Sequence, residues 1–515
     1  SSLCKRTEYR LISDLDKLVC YASLHGGCPM NSAEDIARAV RNGEASAQEI
    51  VAQALDRAES VQERTNAFIS LIHTKAIERA KEIDVLRSKG NDLGLLAGVP
   101  IVVKDNISTA GLLSTAGSRS LESFIPPYSA TVVDRLEAAG AVIIAKANLD
   151  EFGMGGSNEN SYFGPVRNPW VPSKVSGGSS GGSAVAVATG VAPLALGTDT
   201  GGSVRQPAAF NGVVGFKPTY GRLSRYGVMA FASSLDQIGV LSRSARDLAL
   251  AMDVMGGHDT KDATSLKGTP PRFLTAIDAE QNLSSLSVGV VTELTGEGIS
   301  REVQGAVERT RATLEKIGVS VSEVSLPHVR YGVPSYYLVA TAEASSNLAR
   351  FDGMVFSTRV GDNREGQAEV MMRARGEAFG SEVRRRILMG TYALASGYYD
   401  AYYGKALKVR RLISLEFQEA FRRFDLLLMP TTPAVAFDLG EKINDPLSMY
   451  LGDVCTCLAN LVGLGAVSIP AGLTKEGLPC GVQLLAPPLH DEQLVKLVAA
   501  LENEAGTDFA PLAPG

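Results

Sequence analysis

Two glycine-rich turns carry serines, SGGSSGGS at 176–183 and GTDTGGS at 197–203. A serine hydroxyl attacks a carbonyl only when a neighbouring base takes its proton, so the first question is which base the chain offers. There are five histidines. His258, His328 and His490 stand in Gly- or Pro-flanked turns without an acidic pattern to orient them, and another belongs to the HGG at 25–27. A lysine can serve instead if burial brings it from about 10.4 to near 7 or 8, at a cost on the order of 4 kcal/mol that demands a dry, packed place. Lys104, which ends the apolar run GVPIVV and precedes the turn DN, fits that description; Lys146, after AVIIA, rivals it on pattern alone.

Other readings of the glycine-serine stretch explain less. A flexible linker of this composition would not run straight into AVAVATGVAPLALGTD, a segment that must be buried. A phosphate loop needs a lysine directly after its last glycine, whereas the nearest basic residues, Lys174 and Lys217, lie outside the turns. Gly177-Gly178-Ser179-Ser180-Gly181 matches the G-x-S-x-G of a nucleophile elbow. Its upstream sequence, NPWVPSKV, is no apolar strand, and the histidine that mechanism requires is missing.

The elements around these turns read as α/β. Short apolar runs alternate with helical patterns: GVPIVVKDN (98–106), AVIIAKAN (141–148), GVVGFKPT (212–219), SVGVV (287–291), FDLLLMPTTPAV (424–435) and GAVSIPAGL (465–473). Continuous apolar strands between helices predict a large mixed β-sheet covered by helices on both faces. SVGVV, the amphipathic 301–317 and GVSVSEVSLP predict a strand, helix, strand unit. The uncharged run from Val175 to Thr198, broken by glycines, serines and Pro193, is expected to be a buried helix and not a membrane span. Ser32 with Asp35, and Ser46 with Glu49, are helix-start signals. Residues 1–29, which hold Cys4, Cys20 and Cys28, are expected to be a disordered or non-native leader. Residues 30–515 are expected to form a single domain with a helical insertion around 330–420.

Composition narrows the class. With 45% hydrophobic and 21% charged residues the 515-residue chain reads as a soluble globular protein. A net charge of −6 argues against gripping nucleic acid through its own phosphate contacts; any RNA partner would be held mainly by another protein chain. No basic-then-apolar secretory pattern opens the chain, so a cytoplasmic location is expected. The six cysteines show no C-x-x-C pairing, so free thiols are expected, including Cys455, Cys457 and Cys480.

In order and spacing, VVKDN (102–106), GGSSGGSAVAVATG (177–190) and LGTDTGGSVRQPAAFNGVVGFKPTYGRLS (196–224) resemble the amidase signature family. The resemblance spans more than a hundred residues and implies a Ser-Ser-Lys triad: Lys104 as base, Ser179 as relay in a cis peptide, and Ser203 as nucleophile. It also implies an oxyanion hole of backbone N–H groups at Thr200, Gly201 and Gly202, where the glycines let the chain turn so that donors converge.

Three further stretches, 336–353, 382–410 and 445–470, are similar to the A subunits of the glutamyl-tRNA(Gln)/aspartyl-tRNA(Asn) amidotransferases, and the likeness then runs through nearly the whole chain from Met30. That branch implies glutamine as substrate, held by Tyr337, Arg386 and Asp453. A guanidinium suits the α-carboxylate and a carboxylate the α-ammonium; Arg384 and Arg385 stand beside Arg386. Ammonia would pass to a B subunit that amidates mischarged tRNA with ATP and Mg²⁺, with a C subunit holding the pair together. No cofactor or metal is expected in this chain. The sequence departs modestly from the family at the CTC of 455–457 and at Cys480. A stand-alone amidase would keep the triad without needing Arg386 and Asp453, and a non-catalytic scaffold would need neither.

Overall fold

The computed structural model describes residues 32–268, 270–279, 282–360, 366–506, 509–510 and 512–513, so the expected leader lies outside the described residues. Both helix-start signals act as caps. Ser32 Oγ accepts the Asp35 N–H at 3.0 Å and opens the helix Ala33–Asn42. Ser46 Oγ accepts the Glu49 N–H at 3.4 Å and opens Ala47–Thr65.

Among the described residues, eleven strands join one mixed sheet: β1 (Phe68–Leu71), β2 (Pro100–Lys104), β3 (Val142–Ala147), β4 (Leu194–Asp199), β5 (Val214–Lys217), β6 (Gln237–Ser242), β7 (Ser287–Val291), β8 (Ser320–Val324), β9 (Leu426–Pro430), β10 (Gly465–Leu473) and β11 (Pro479–Ala486). Their order is β1-β3-β2-β4-β6-β5-β10-β11-β9-β7-β8. Side chains alternate across a strand, and here both faces are buried. Leu426 and Leu428 of β9 join one apolar cluster, whereas Leu427 and Met429 join another. Val482 and Leu484 of β11 likewise face the first cluster and Leu485 the second. Helices therefore cover the sheet on both sides.

The 287–324 unit forms as expected, with β7 and β8 parallel in the register Val288↔Val321 and the helix Arg301–Lys316 between them. Among the described residues between Gly332 and Ala420 the chain forms the helices Gly332–Asn347, Gln367–Ala378, Ser381–Leu394 and Lys405–Ala420, joined by stretches that are not α-helical. The run 175–198 departs from the expected single buried helix. Helix Gly181–Ala188 stops where Gly190 turns left-handed (φ 68°), and after Pro193 the chain becomes β4. Apolarity alone does not separate a buried helix from a buried strand; the two breakers do.

The placement of β2 and β4 matters most. They are parallel neighbours in the register Val103↔Leu196, so their carboxyl ends lie side by side. The residue that ends β2 and the turn that follows β4 must therefore meet.

Candidate active site

Lys104 closes β2, and its side chain is fully buried. Its ammonium reaches Ser179 Oγ at 2.7 Å, Ser180 Oγ at 2.8 Å and Thr198 Oγ1 at 2.9 Å. Burial pushes the lysine down to about 7, against the pull of the Asp150, Asp199 and Asp236 carboxylates. Lys146, its rival on pattern, points elsewhere: it pairs with Asp105 at 3.5 Å and donates to Ile107 O at 2.8 Å and Ser114 Oγ at 2.9 Å. Among the described residues no histidine is hydrogen-bonded to Ser179 or Ser203. His328 Nδ1 lies 2.8 Å from Glu416 and His490 Nδ1 lies 3.1 Å from Pro488 O.

Ser179 sits in a closely packed turn whose Gly178–Ser179 peptide is cis. A Cβ on Gly178 would overlap the Asp150 carboxylate, so only glycine fits. Asp150 accepts the N–H groups of Asn158 at 2.9 Å and Asn160 at 3.0 Å, and its own N–H donates to Ser179 O at 3.3 Å. Ser203 arrives from the turn after β4. Its carbonyl accepts the Ser180 N–H at 3.1 Å, which brings the two serine turns together. Ser203 is 8% exposed, and its hydroxyl makes no hydrogen bond among the described residues, so the chain of hydrogen bonds from Lys104 stops at Ser179.

The Ser203 turn is held by charge. Asp199 accepts Gly202 N–H at 3.0 Å and Val204 N–H at 3.2 Å, and it pairs with the fully buried Arg205 at 3.0 Å. Burial would raise Asp199, but Arg205 holds it near 2. Arg205 in turn donates to Asn460 Oδ1 at 2.7 Å and Gln483 Oε1 at 2.8 Å. Of the expected oxyanion donors, the Gly202 N–H is thus already committed to Asp199, because the carboxylate that anchors the turn sits beneath it. Thr200 uses its hydroxyl on Asp236 at 2.7 Å. Gly202 has φ 135°, and a Cβ there would overlap Thr456 Oγ1.

Tyr337, Arg386 and Asp453 also converge. Tyr337 donates its phenol to Asp453 Oδ2 at 2.7 Å. The Arg386 guanidinium lies 5.2 Å from the Tyr337 ring, 5.4 Å from Tyr450 and 5.6 Å from Phe231, within cation–π range. Burial lifts Asp453 to about 6, with the Tyr337 hydrogen bond and Arg386 pulling the other way. Arg384 and Arg385 take other partners: Arg384 bonds Gly376 O at 3.1 Å, and Arg385 pairs with Glu382. Thr456 fastens the cluster to the Ser203 turn. Its N–H donates to Asp453 O at 3.1 Å and its hydroxyl to Gly201 O at 2.7 Å. A cavity of about 370 Å³ adjoins the cluster, bordered by Glu151, Ser157, Glu382, Met449 and Tyr450.

Several neighbours of the site were not foreseen from the sequence. Ser180, Thr198 and Asp150 surround the lysine, Asp199 with Arg205 holds the Ser203 turn, and Glu382 with Tyr450 frames Arg386. One signal was present: Glu382 stands four residues before Arg386 on a helix, the spacing of an ion pair. Cys455, Cys457 and Cys480 are free and buried. Among the described residues no group of three or more His, Cys, Asp or Glu is arranged to hold a metal ion, and no helix is long and apolar enough to cross a membrane.

This geometry, a buried lysine of lowered basicity bonded to a serine beside a second serine, can activate a hydroxyl for acyl transfer. The model of the family described as Amidase matches residues 49–495. The A subunit of glutamyl-tRNA(Gln) amidotransferase from Symbiobacterium thermophilum is 52% identical over 475 residues, 92% of this chain and 96% of the relative. The protein of the same name from Deinococcus radiodurans is 53% identical over 474 residues, again 92% and 96%. The crystal structure of the corresponding glutamyl-tRNA(Gln) amidotransferase chain from Thermotoga maritima superposes with a TM-score of 0.75 at 40% identity, covering 91% of this chain and 94% of that one.

Proposed function

The chain belongs to the amidase family, and from that premise we propose that it is the glutamine-hydrolysing A subunit of a glutamyl-tRNA(Gln) amidotransferase. The observation that carries the reading is the 2.7 Å bond from buried Lys104 to Ser179, with Ser203 in the adjoining turn and a neighbouring cluster in which Arg386 and Asp453 meet at Tyr337. A free amino acid needs that pair of opposite charges; a simple amide does not.

The neutral amine of Lys104 takes the Ser179 proton as Ser179 takes that of Ser203. The Ser203 oxygen then adds to the side-chain carboxamide carbon of glutamine. The Ser179 and Ser203 hydroxyls are not hydrogen-bonded to each other among the described residues, and such bonds commonly tighten only in the complex. The developing oxyanion faces the N–H groups of Gly201 and Ser203, with Thr200 beside them; Gly202 is bound to Asp199 and shapes the turn instead. The relay returns its proton to the departing nitrogen, ammonia leaves, and water cleaves the acyl-Ser203 ester to give glutamate. Arg386 takes the α-carboxylate and Asp453 the α-ammonium, with Tyr337 fixing Asp453.

Ammonia is then handed to a B subunit that activates Glu-tRNA(Gln), and possession of the Asp-tRNA(Asn) activity depends on that partner. ATP and Mg²⁺ belong to the partner's step, and a C subunit joins the two in a heterotrimer. The reaction is part of protein synthesis, which sets it in the cytoplasm. Glutamate release from glutamine, by the chain alone and with partner subunits, Glu-tRNA(Gln) and ATP, tests the reading. Slow hydrolysis that rises strongly in the complex is expected; partner-independent turnover, or faster cleavage of another amide, would favour a stand-alone amidase. Ser203→Ala is expected to abolish glutaminase activity and leave ammonia-supported transamidation intact, and loss of both would contradict the division of labour.

A further inference from the structure

Arg386 is 3% exposed, yet among the described residues its only hydrogen bond runs from Nε to Glu382 Oε1, at 2.8 Å. Both terminal nitrogens are left without a hydrogen-bonding partner inside a frame of three aromatic rings. A nearly buried guanidinium with its terminal N–H edge left open is suited to receive an anion. Glu382 decides which edge it offers. With Nε occupied, the side-on grip that uses Nε and one terminal nitrogen is closed, and the end-on fork of the two terminal nitrogens remains.

The same oxygen organises the second wall of the pocket. Glu382 Oε1 also accepts the Tyr450 hydroxyl at 2.8 Å, and the Tyr450 ring stacks on Tyr337 with centroids 4.0 Å apart. Tyr337 in turn bonds Asp453 at 2.7 Å. Arg385 pairs with the other oxygen, Oε2, and pins the carboxylate from the outside. One carboxylate therefore ties the guanidinium and the aromatic wall into a single arrangement that ends at the proposed ammonium acceptor.

We propose that Glu382 is a positioning residue for amino-acid binding: it orients Arg386 so that the substrate α-carboxylate is received end-on by the two terminal nitrogens. This rests on the glutaminase reading above. Glu382 touches no substrate atom; its effect passes through Arg386 and Tyr450. A purely structural ion pair would affect all ligands of the pocket alike, whereas a positioning role is selective for ligands that carry the carboxylate.

The test uses the full chain assembled with its partner subunits, and compares L-glutamine with 4-aminobutanamide, which keeps the amide and the amino group but lacks the α-carboxylate. Expected for Glu382→Ala is a KM for glutamine raised about tenfold or more, with kcat within about threefold. The inhibition constant of 4-aminobutanamide against glutamine hydrolysis should stay within about threefold of the wild-type value. Glu382→Gln retains the volume and an oxygen acceptor, so it should restore most of the affinity and carry the same asymmetry if the alanine variant fails to fold. Equal weakening of both ligands, or a fall in kcat at constant KM, would overturn the proposal while leaving the function standing. A wild-type complex that releases no glutamate from glutamine would overturn the function itself, and the proposal with it.

Discussion

On the proposed mechanism only the free amine of Lys104 can accept a proton, so its environment sets the acid limb of the reaction. Burial brings it to about 7. Below that pH the lysine is protonated and idle; above it the amine is free, and kcat/KM for glutamine hydrolysis is expected to rise with pH through about 7. Asp453, lifted to about 6 by burial, must be ionised to hold an ammonium, so its titration acts in the same direction and steepens the fall below pH 6. A pH series of kcat/KM from 5 to 9 reads both, and a flat profile would deny Lys104 its role as base. Lys104→Ala should cost about 10²–10⁴ in rate. At this scale local pattern alone narrowed the base to two lysines, because strand, apolar run and following turn look alike at 104 and 146, and only the family resemblance chose Lys104. What separates them is tertiary: Lys146 has Asp105 at 3.5 Å, and Lys104 has hydroxyls. Nor could any local pattern show that Asp199 and Arg205, six residues apart across the Ser203 turn, would form one buried pair.

Between elements, the helix Ser381–Leu394 that carries Glu382 and Arg386 is docked at its amino end by Glu151. Glu151 Oε2 accepts the Gly380 N–H at 2.8 Å, and Oε1 accepts the Ser118 hydroxyl at 2.5 Å. Burial raises this carboxyl to about 7, outweighing the hydrogen bonds that favour its charge. The folded state then binds its proton more tightly than the unfolded state, so stability falls as pH rises from about 4.5 to about 7. Glu151→Gln keeps an acceptor and removes the charge; its stability relative to wild type should climb across that window, by on the order of 3 kcal/mol in total. Denaturant unfolding of both proteins at pH 4.5 and 8 checks this, and a difference that shrinks with pH would reverse the sign assigned to burial. The elements were unevenly legible. β2, β3, β5, β7, β9 and β10 announce themselves as apolar β-branched runs, but β4 hid within the uncharged 175–198 stretch. β6 begins with Gln237 and ends with Ser242, both buried, so its polar ends mask a strand that is enclosed throughout.

Across the whole molecule, the site is assembled from two distant parts of the chain. On the proposed mechanism, residues 104–205 supply the base, the serines and the turn that holds them, while 337–453 supply the pocket for the amino acid. They meet where Thr456 bonds Gly201 O at 2.7 Å and where Tyr336 packs over Gly201. Only likeness to a family could foretell that meeting, since nothing around Asp453 signals a partner some 250 residues earlier. Because the pocket bridges these parts, a bound amino acid should stabilise the fold as a unit, by roughly 2.7 kcal/mol at a hundred times its dissociation constant. The effect should depend on pH in a definite way. On the proposed reading an α-ammonium binds the ionised form of Asp453, whose carboxyl burial lifts to about 6, so binding below that pH must displace a proton. The rise in unfolding temperature given by glutamine to the Ser203→Ala chain is therefore expected to be larger at pH 7.5 than at pH 5.5, and Asp453→Asn should remove both most of the stabilisation and its dependence on pH. Equal shifts at the two pH values in the Ser203→Ala chain would mean that the ammonium is held by some group other than Asp453, and the orientation of glutamine in the pocket would have to be redrawn from that group.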